Sequence, residues 1–114
     1  MNVKALTKPK FKVGDIVYYY NFGTNEIKKD EVARTEWDNN NTFYYSLKKL
    51  YHFYILAEYQ LFETFDECKN HLLKILDHTM ETLTFFSDSI DSIDASKSSL
   101  EHLYKKIEKQ VEKQ

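Results

Sequence analysis

The spacing of apolar residues changes once along the chain, near Thr64. Before it, apolar and aromatic residues alternate over short runs broken by turn residues; after it, they recur at helical spacing. In Phe11-Lys12-Val13-Gly14-Asp15-Ile16-Val17-Tyr18-Tyr19-Tyr20, a Gly-Asp turn pair is set among β-formers. Alternation there puts Val13, Val17 and Tyr19 on one side and Ile16, Tyr18 and Tyr20 on the other. Residues 21–25 read as a turn, and Ile27–Trp37 as a second strand kinked or bulged at Lys28-Lys29-Asp30. Asp38-Asn39-Asn40-Asn41 is a further turn, because Asx side chains bond their own backbone. Phe43–Leu47 and Tyr51–Leu56 follow as third and fourth strands.

Past the junction, Thr64-x-x-Glu67 spells a capping box. Phe65, Cys68, Leu72, Ile75, Leu76, Thr79, Leu83 and Phe86 share one helical face, opposite Asp66, Asn70, Lys74, Asp77 and Glu81. Residues 87–97 are rich in Ser and Asp, which compete for backbone hydrogen bonds, so a break is expected there. Ser98-x-x-Glu101 then opens a second helix with a narrower stripe of Leu100, Leu103, Tyr104, Ile107 and Val111. Two such helices joined by a polar loop make an antiparallel hairpin. A single long helix, whose narrow stripe would suit a coiled-coil partner, is the alternative; separately, a small homodimer could be held by the Leu100–Val111 stripe. The expected fold is α+β: a small antiparallel barrel or curved sheet (10–62) followed by two helices (64–114), within one domain.

Composition sharpens this division. The only Pro and both Gly fall by residue 23, and 15 of the 18 aromatics fall by Phe65. With 42% hydrophobic residues, 114 residues suffice for a core without disulfides. The single cysteine excludes an internal bridge and suits a reducing compartment. With no signal-like start and no spanning apolar run, a cytoplasmic protein without a membrane partner is expected. Net charge is −2: residues 1–62 carry +2, 63–97 carry −5 and 98–114 carry +1. That balance lacks the basic surplus typical of duplex binders.

The run Phe11-Lys12-Val13-Gly14-Asp15-x-Val17-Tyr18, the return strand with Val32, the aromatic strand Phe43-Tyr44-Tyr45 and the closing Leu61-Phe62-x-Thr64-x-x-Glu67 resemble small SH3-like or KOW-like barrel proteins of phages and other mobile elements. The resemblance covers roughly residues 10–72. It implies a binding role rather than a reaction, and a closing segment that caps a barrel and starts a helix.

Signals for chemistry are sparse. Cys68 lies in the first turn of a helix but on its apolar face, where cysteine packs as a small hydrophobe. His71 and His78 are seven residues apart, roughly 10.5 Å along a helix, too far for one zinc ion, and His52 or His102 could join only through the fold. Asp88, Asp91 and Asp94 lack the Gly and Glu of a calcium loop. No nucleophile elbow or phosphate-cradling loop is present, so neither enzymatic activity nor a cofactor or metal is expected.

The aromatic surplus points instead to contact surfaces. Three consecutive tyrosines at 18–20 force at least one outward, and Tyr51-His52-Phe53-Tyr54 does the same beside Lys48-Lys49. Tyr-rich surfaces suit protein interfaces, and aromatics beside lysines suit single-stranded nucleic acid. The candidate anchors are Tyr18, Tyr20, Trp37, Tyr51 and Tyr54, with Asp88, Asp91 and Asp94 as a second, acidic surface. A non-catalytic inhibitor or modulator of a host protein or nucleoprotein complex, for example an anti-CRISPR or other anti-defence protein, is the expectation that rests on the resemblance. A nucleic-acid-binding factor using Lys48, Lys49, Tyr51 and Tyr54 is the second.

Overall fold

The computed structural model describes residues 8–37, 42–50, 55–86 and 92–112. Four antiparallel strands run β1 (Ile16–Asn21), β2 (Glu26–Trp37), β3 (Phe43–Leu47) and β4 (Ile55–Ala57), neighbours in the sheet in that order. A 3-10 turn, Glu58–Gln60, follows, then α1 (Phe65–Phe86) and α2 (Ser92–Glu108). The fold is thus α+β, a curled antiparallel sheet followed by two helices.

By contact density the chain forms two units. One holds the chain through Tyr19 together with Lys28–Thr64; the other holds Tyr20–Ile27 together with everything from Phe65 on. The second long segment changes unit after Thr64, and the tip of the β1–β2 hairpin groups with the helices.

In the first unit, the turn before β1 needs Gly14. Its φ of 97° is left-handed, and its amide donates to Val32 O at 2.9 Å. Lys12 N–H bonds Asp15 Oδ2 at 2.9 Å, and Val32 N–H returns a bond to Asp15 O at 2.9 Å. After the 3-10 turn, Phe62 exchanges two 2.9 Å backbone bonds with Tyr18, so β1 is paired on both edges and the sheet curls into a half-barrel. This order is compatible with an SH3-like barrel. Phe11, Val17, Tyr19, Val32, Tyr45, Leu47, Leu56 and Leu61 form its core.

Two details of the sheet bear on the expected strands. Along its pairing with β3, β2 is irregular between Val32 and Arg34, where the register jumps from Val32↔Leu47 to Arg34↔Ser46. Lys28-Lys29-Asp30 lies within β2, and Asp30 is buried. Its carboxylate accepts Glu31 N–H at 2.7 Å and Lys49 N–H at 2.8 Å, pinning the turn after β3. The expected fourth strand falls partly on residues 51–54, outside the described residues; its described part is Ile55–Ala57.

In the second unit, α1 begins directly after Thr64 and buries Phe65, Cys68 and Leu76, while Asp66, Asn70, Lys74, Asp77 and Glu81 are exposed as expected. Ile75, assigned to the apolar face, is instead half exposed at its margin. The second helix starts at Ser92, six residues earlier than its capping signal at Ser98 suggested. Ser and Asp disfavour helix interiors but suit a first turn, where Asp94 lies near the positive end of the dipole. Lys69 Nζ donates to Gln110 O at 2.8 Å. One continuous helix would hold residues that far apart about 60 Å from each other, so α1 and α2 run antiparallel as a hairpin.

Candidate functional site

The tip of the β1–β2 hairpin, Tyr20–Ile27, presents its aromatic side chain on a heavily fixed backbone. Asn21 Oδ1 accepts from Gly23 N–H at 2.8 Å and Thr24 N–H at 3.2 Å, an Asx turn. Asn25 takes the left-handed conformation, φ 56°, which asparagine tolerates. Its side-chain oxygen accepts the Tyr20 hydroxyl at 2.7 Å. From the other side of the same unit, Lys106 Nζ donates to Thr24 O at 2.9 Å. Gln110 donates from Nε2 to Asn25 O at 3.0 Å and accepts Ile27 N–H at Oε1, 2.8 Å.

On this frame stands Phe22, 76% exposed, touched edge-on by Tyr20 with ring centroids 5.0 Å apart and planes at 86°. Tyr20 is half-buried, and burial raises its phenol pKa above the ordinary 10.0. The sequence marks 21–25 as a turn without singling out Phe22. The signal was there, since an aromatic between Asn and Gly at a hairpin tip has no core to enter. In the other unit, Tyr59 on the 3-10 turn is exposed to a similar degree, 77%.

The sequence-predicted anchors are scattered. Tyr18, expected among the contact anchors, is only 9% exposed. Tyr19 is buried too, so of the three tyrosines only Tyr20 reaches the surface. Trp37 ends β2 opposite Phe43. Lys48 and Lys49 are exposed on the turn after β3, with the Lys48 ammonium paired to Glu31 at 2.7 Å. Tyr51, Tyr54, Asp88 and Asp91 lie outside the described residues; Asp94 is in the first turn of α2.

The stripe offered as a homodimer seam is largely occupied. Ile107 is buried, Leu100 and Leu103 are half-buried, and Val111 lies past the end of α2, exposed. Ile107 is turned inward within this chain.

Cys68 is fully buried, and desolvation pushes its thiol from 9.0 up to about 12. Such a thiol is inert. Native protein should therefore resist iodoacetamide at neutral pH while urea-unfolded protein is alkylated rapidly; equal rates would place the thiol in solvent. Burial and the Glu58 contact likewise raise Tyr45 from 10.0 to about 12. Both groups keep their protons in the folded chain past the pH at which the unfolded chain releases them. Folding stability should then fall as pH rises from about 9 to about 12, and Cys68→Ala should remove the lower part of that slope in urea melts.

Among the described residues, no group of three or more His, Cys, Asp or Glu could hold a metal ion, and no helix is long and apolar enough to cross a membrane. A cleft of about 300 Å³ between α1 and α2 is lined by Asp77, Met80, Glu81, Thr84, Lys97, Glu101, Tyr104 and Lys105. Five charged residues of both signs, Asp77, Glu81, Lys97, Glu101 and Lys105, stand in its walls. No family model, curated protein or solved structure matches the chain.

Proposed function

We propose that this is a non-catalytic binding protein whose contact element is the β1–β2 hairpin tip, with Phe22 as its anchor. The observation that carries the reading is a large ring left in water on a backbone whose turn is held by Asn21, Asn25, Lys106 and Gln110. An exposed ring on a fixed backbone loses little conformational freedom on binding, and so contributes area to an interface at low entropic cost. The partner chemistry that fits is a protein with an apolar socket. Inhibition or modulation of a host protein complex by occlusion, of the anti-defence kind, is the concrete form favoured by the resemblance to small phage barrel proteins.

The test is capture from a bacterial host lysate, half of it nuclease-treated, on immobilised wild type, Phe22→Ala and Tyr59→Ala. A stoichiometric protein that survives nuclease, is retained by Tyr59→Ala and is lost with Phe22→Ala supports the reading. Equal capture by all three, loss only with Tyr59→Ala, or loss on nuclease treatment overturns it.

A further inference from the structure

The β2 residues nearest the tip lie beyond the stretch of β2 that pairs with β3, which begins at Val32. An open strand edge leaves backbone donors and acceptors without a ladder. Here the Gln110 side chain covers part of that edge. Its carboxamide accepts from Ile27 N–H in β2 and donates to Asn25 O, in the turn that leads into β2. A carboxamide that accepts at one residue and donates two residues back plays the part of the N–H and C=O of one residue in a neighbouring parallel strand. Glutamate has no donor for Asn25 O, lysine no acceptor for Ile27 N–H, and asparagine is one methylene shorter.

The turn carrying Gln110 is itself tied down. Its amide bonds Ile107 O at 3.0 Å, and its carbonyl accepts Lys69 Nζ at 2.8 Å. One helical turn earlier, Lys106 reaches Thr24 O.

We propose that the C-terminal turn is a clasp for the hairpin tip, with Gln110 as the positioning residue that holds Asn25–Ile27, and through them Phe22, in one conformation. The clasp gains its functional meaning from the reading of the tip as the contact element, but its existence is tested without a partner. Ile27 is buried, so Gln110→Ala leaves its amide hydrogen without an acceptor.

Amide exchange of the full chain, followed residue by residue by NMR, should show Ile27 exchanging about tenfold faster in Gln110→Ala, as expected for one lost hydrogen bond. Tyr45 and Leu47 in β3 should keep their wild-type rates. Gln110→Glu should retain slow exchange at Ile27, because its carboxylate still accepts there, while the amides of Gly23 and Thr24 quicken as the Asn25 side is released. Unchanged Ile27 exchange in Gln110→Ala overturns the clasp, as does equal acceleration at Ile27 in both variants.

The consequence for binding is kinetic. With the partner captured through Phe22, Gln110→Ala should lower the association rate, because fewer molecules present a formed tip, and leave dissociation unchanged. Faster dissociation instead would make Gln110 a contact residue and overturn the positioning role. Loss of capture in Phe22→Ala with normal exchange in Gln110→Ala sinks the clasp and leaves the contact surface standing. Altered exchange with normal capture by Phe22→Ala does the opposite.

Discussion

Tyr45→Ala should cost about 3–5 kcal/mol of unfolding free energy, the range for deleting a large buried aromatic. The ring is fully buried and meets Phe11 edge-to-face at 5.6 Å and 79°. Its hydroxyl donates to Glu58 Oε1 at 2.6 Å and accepts Phe11 N–H at 3.2 Å, and the same Glu58 oxygen accepts Lys10 N–H at 2.6 Å. One side chain thus joins the segment before β1, the middle of β3 and the 3-10 turn. Set against the roughly 5–15 kcal/mol of a typical domain, that loss is a large share. Tyr45→Phe separates the two contributions. It keeps the ring but leaves the Phe11 amide without an acceptor, and should cost about 1–3 kcal/mol. Urea unfolding of the three proteins checks this. An alanine variant within about 1 kcal/mol of wild type would mean that Tyr45 is not the keystone of this core.

Phe22→Ala should weaken the captured partner's affinity by a factor on the order of a hundred, about 2–4 kcal/mol, as for an aromatic hot spot. The thermal midpoint should barely move, since surface substitutions usually stay within about 0.5 kcal/mol. The contrast with Tyr45 is physical. Phe22 touches Tyr20 at its edge but is otherwise in water, so its removal leaves no cavity. A midpoint that falls by many degrees, or an affinity unchanged within twofold, would remove Phe22 as the anchor. Titration calorimetry and a thermal melt on the same samples decide it.

What the sequence made legible was local. The Phe43–Leu47 strand, the Gly14-Asp15 turn, the start of α1 after Thr64 and the burial of Cys68 follow from alternation, turn chemistry and helical period acting within a few residues. The start of α2 was misplaced because Ser and Asp disfavour helix interiors but favour first turns, and Ser92 and Asp94 fall in the first turn. The burial of Tyr18 was not legible, because alternation speaks only within a strand, whereas the Phe62 bridge that closes the half-barrel spans 44 residues of sequence. The candidate site was the least legible part. Its fixity depends on Gln110 reaching Asn25 across 85 residues, a pairing no periodicity encodes.

That the hairpin tip groups with the helices also bears on how this protein can be inherited. The chain enters the second unit at Tyr20, leaves it after Ile27, and returns at Phe65. A recombination event that moved the helix pair alone to another gene would leave behind Thr24, Asn25 and Ile27, the groups that Lys106 and Gln110 bond. One that moved only the strands through Thr64 would strip those residues of both side chains. Either transfer separates the tip from the two side chains that bond it, so exchange that keeps those bonds must carry Thr24 through Gln110 together.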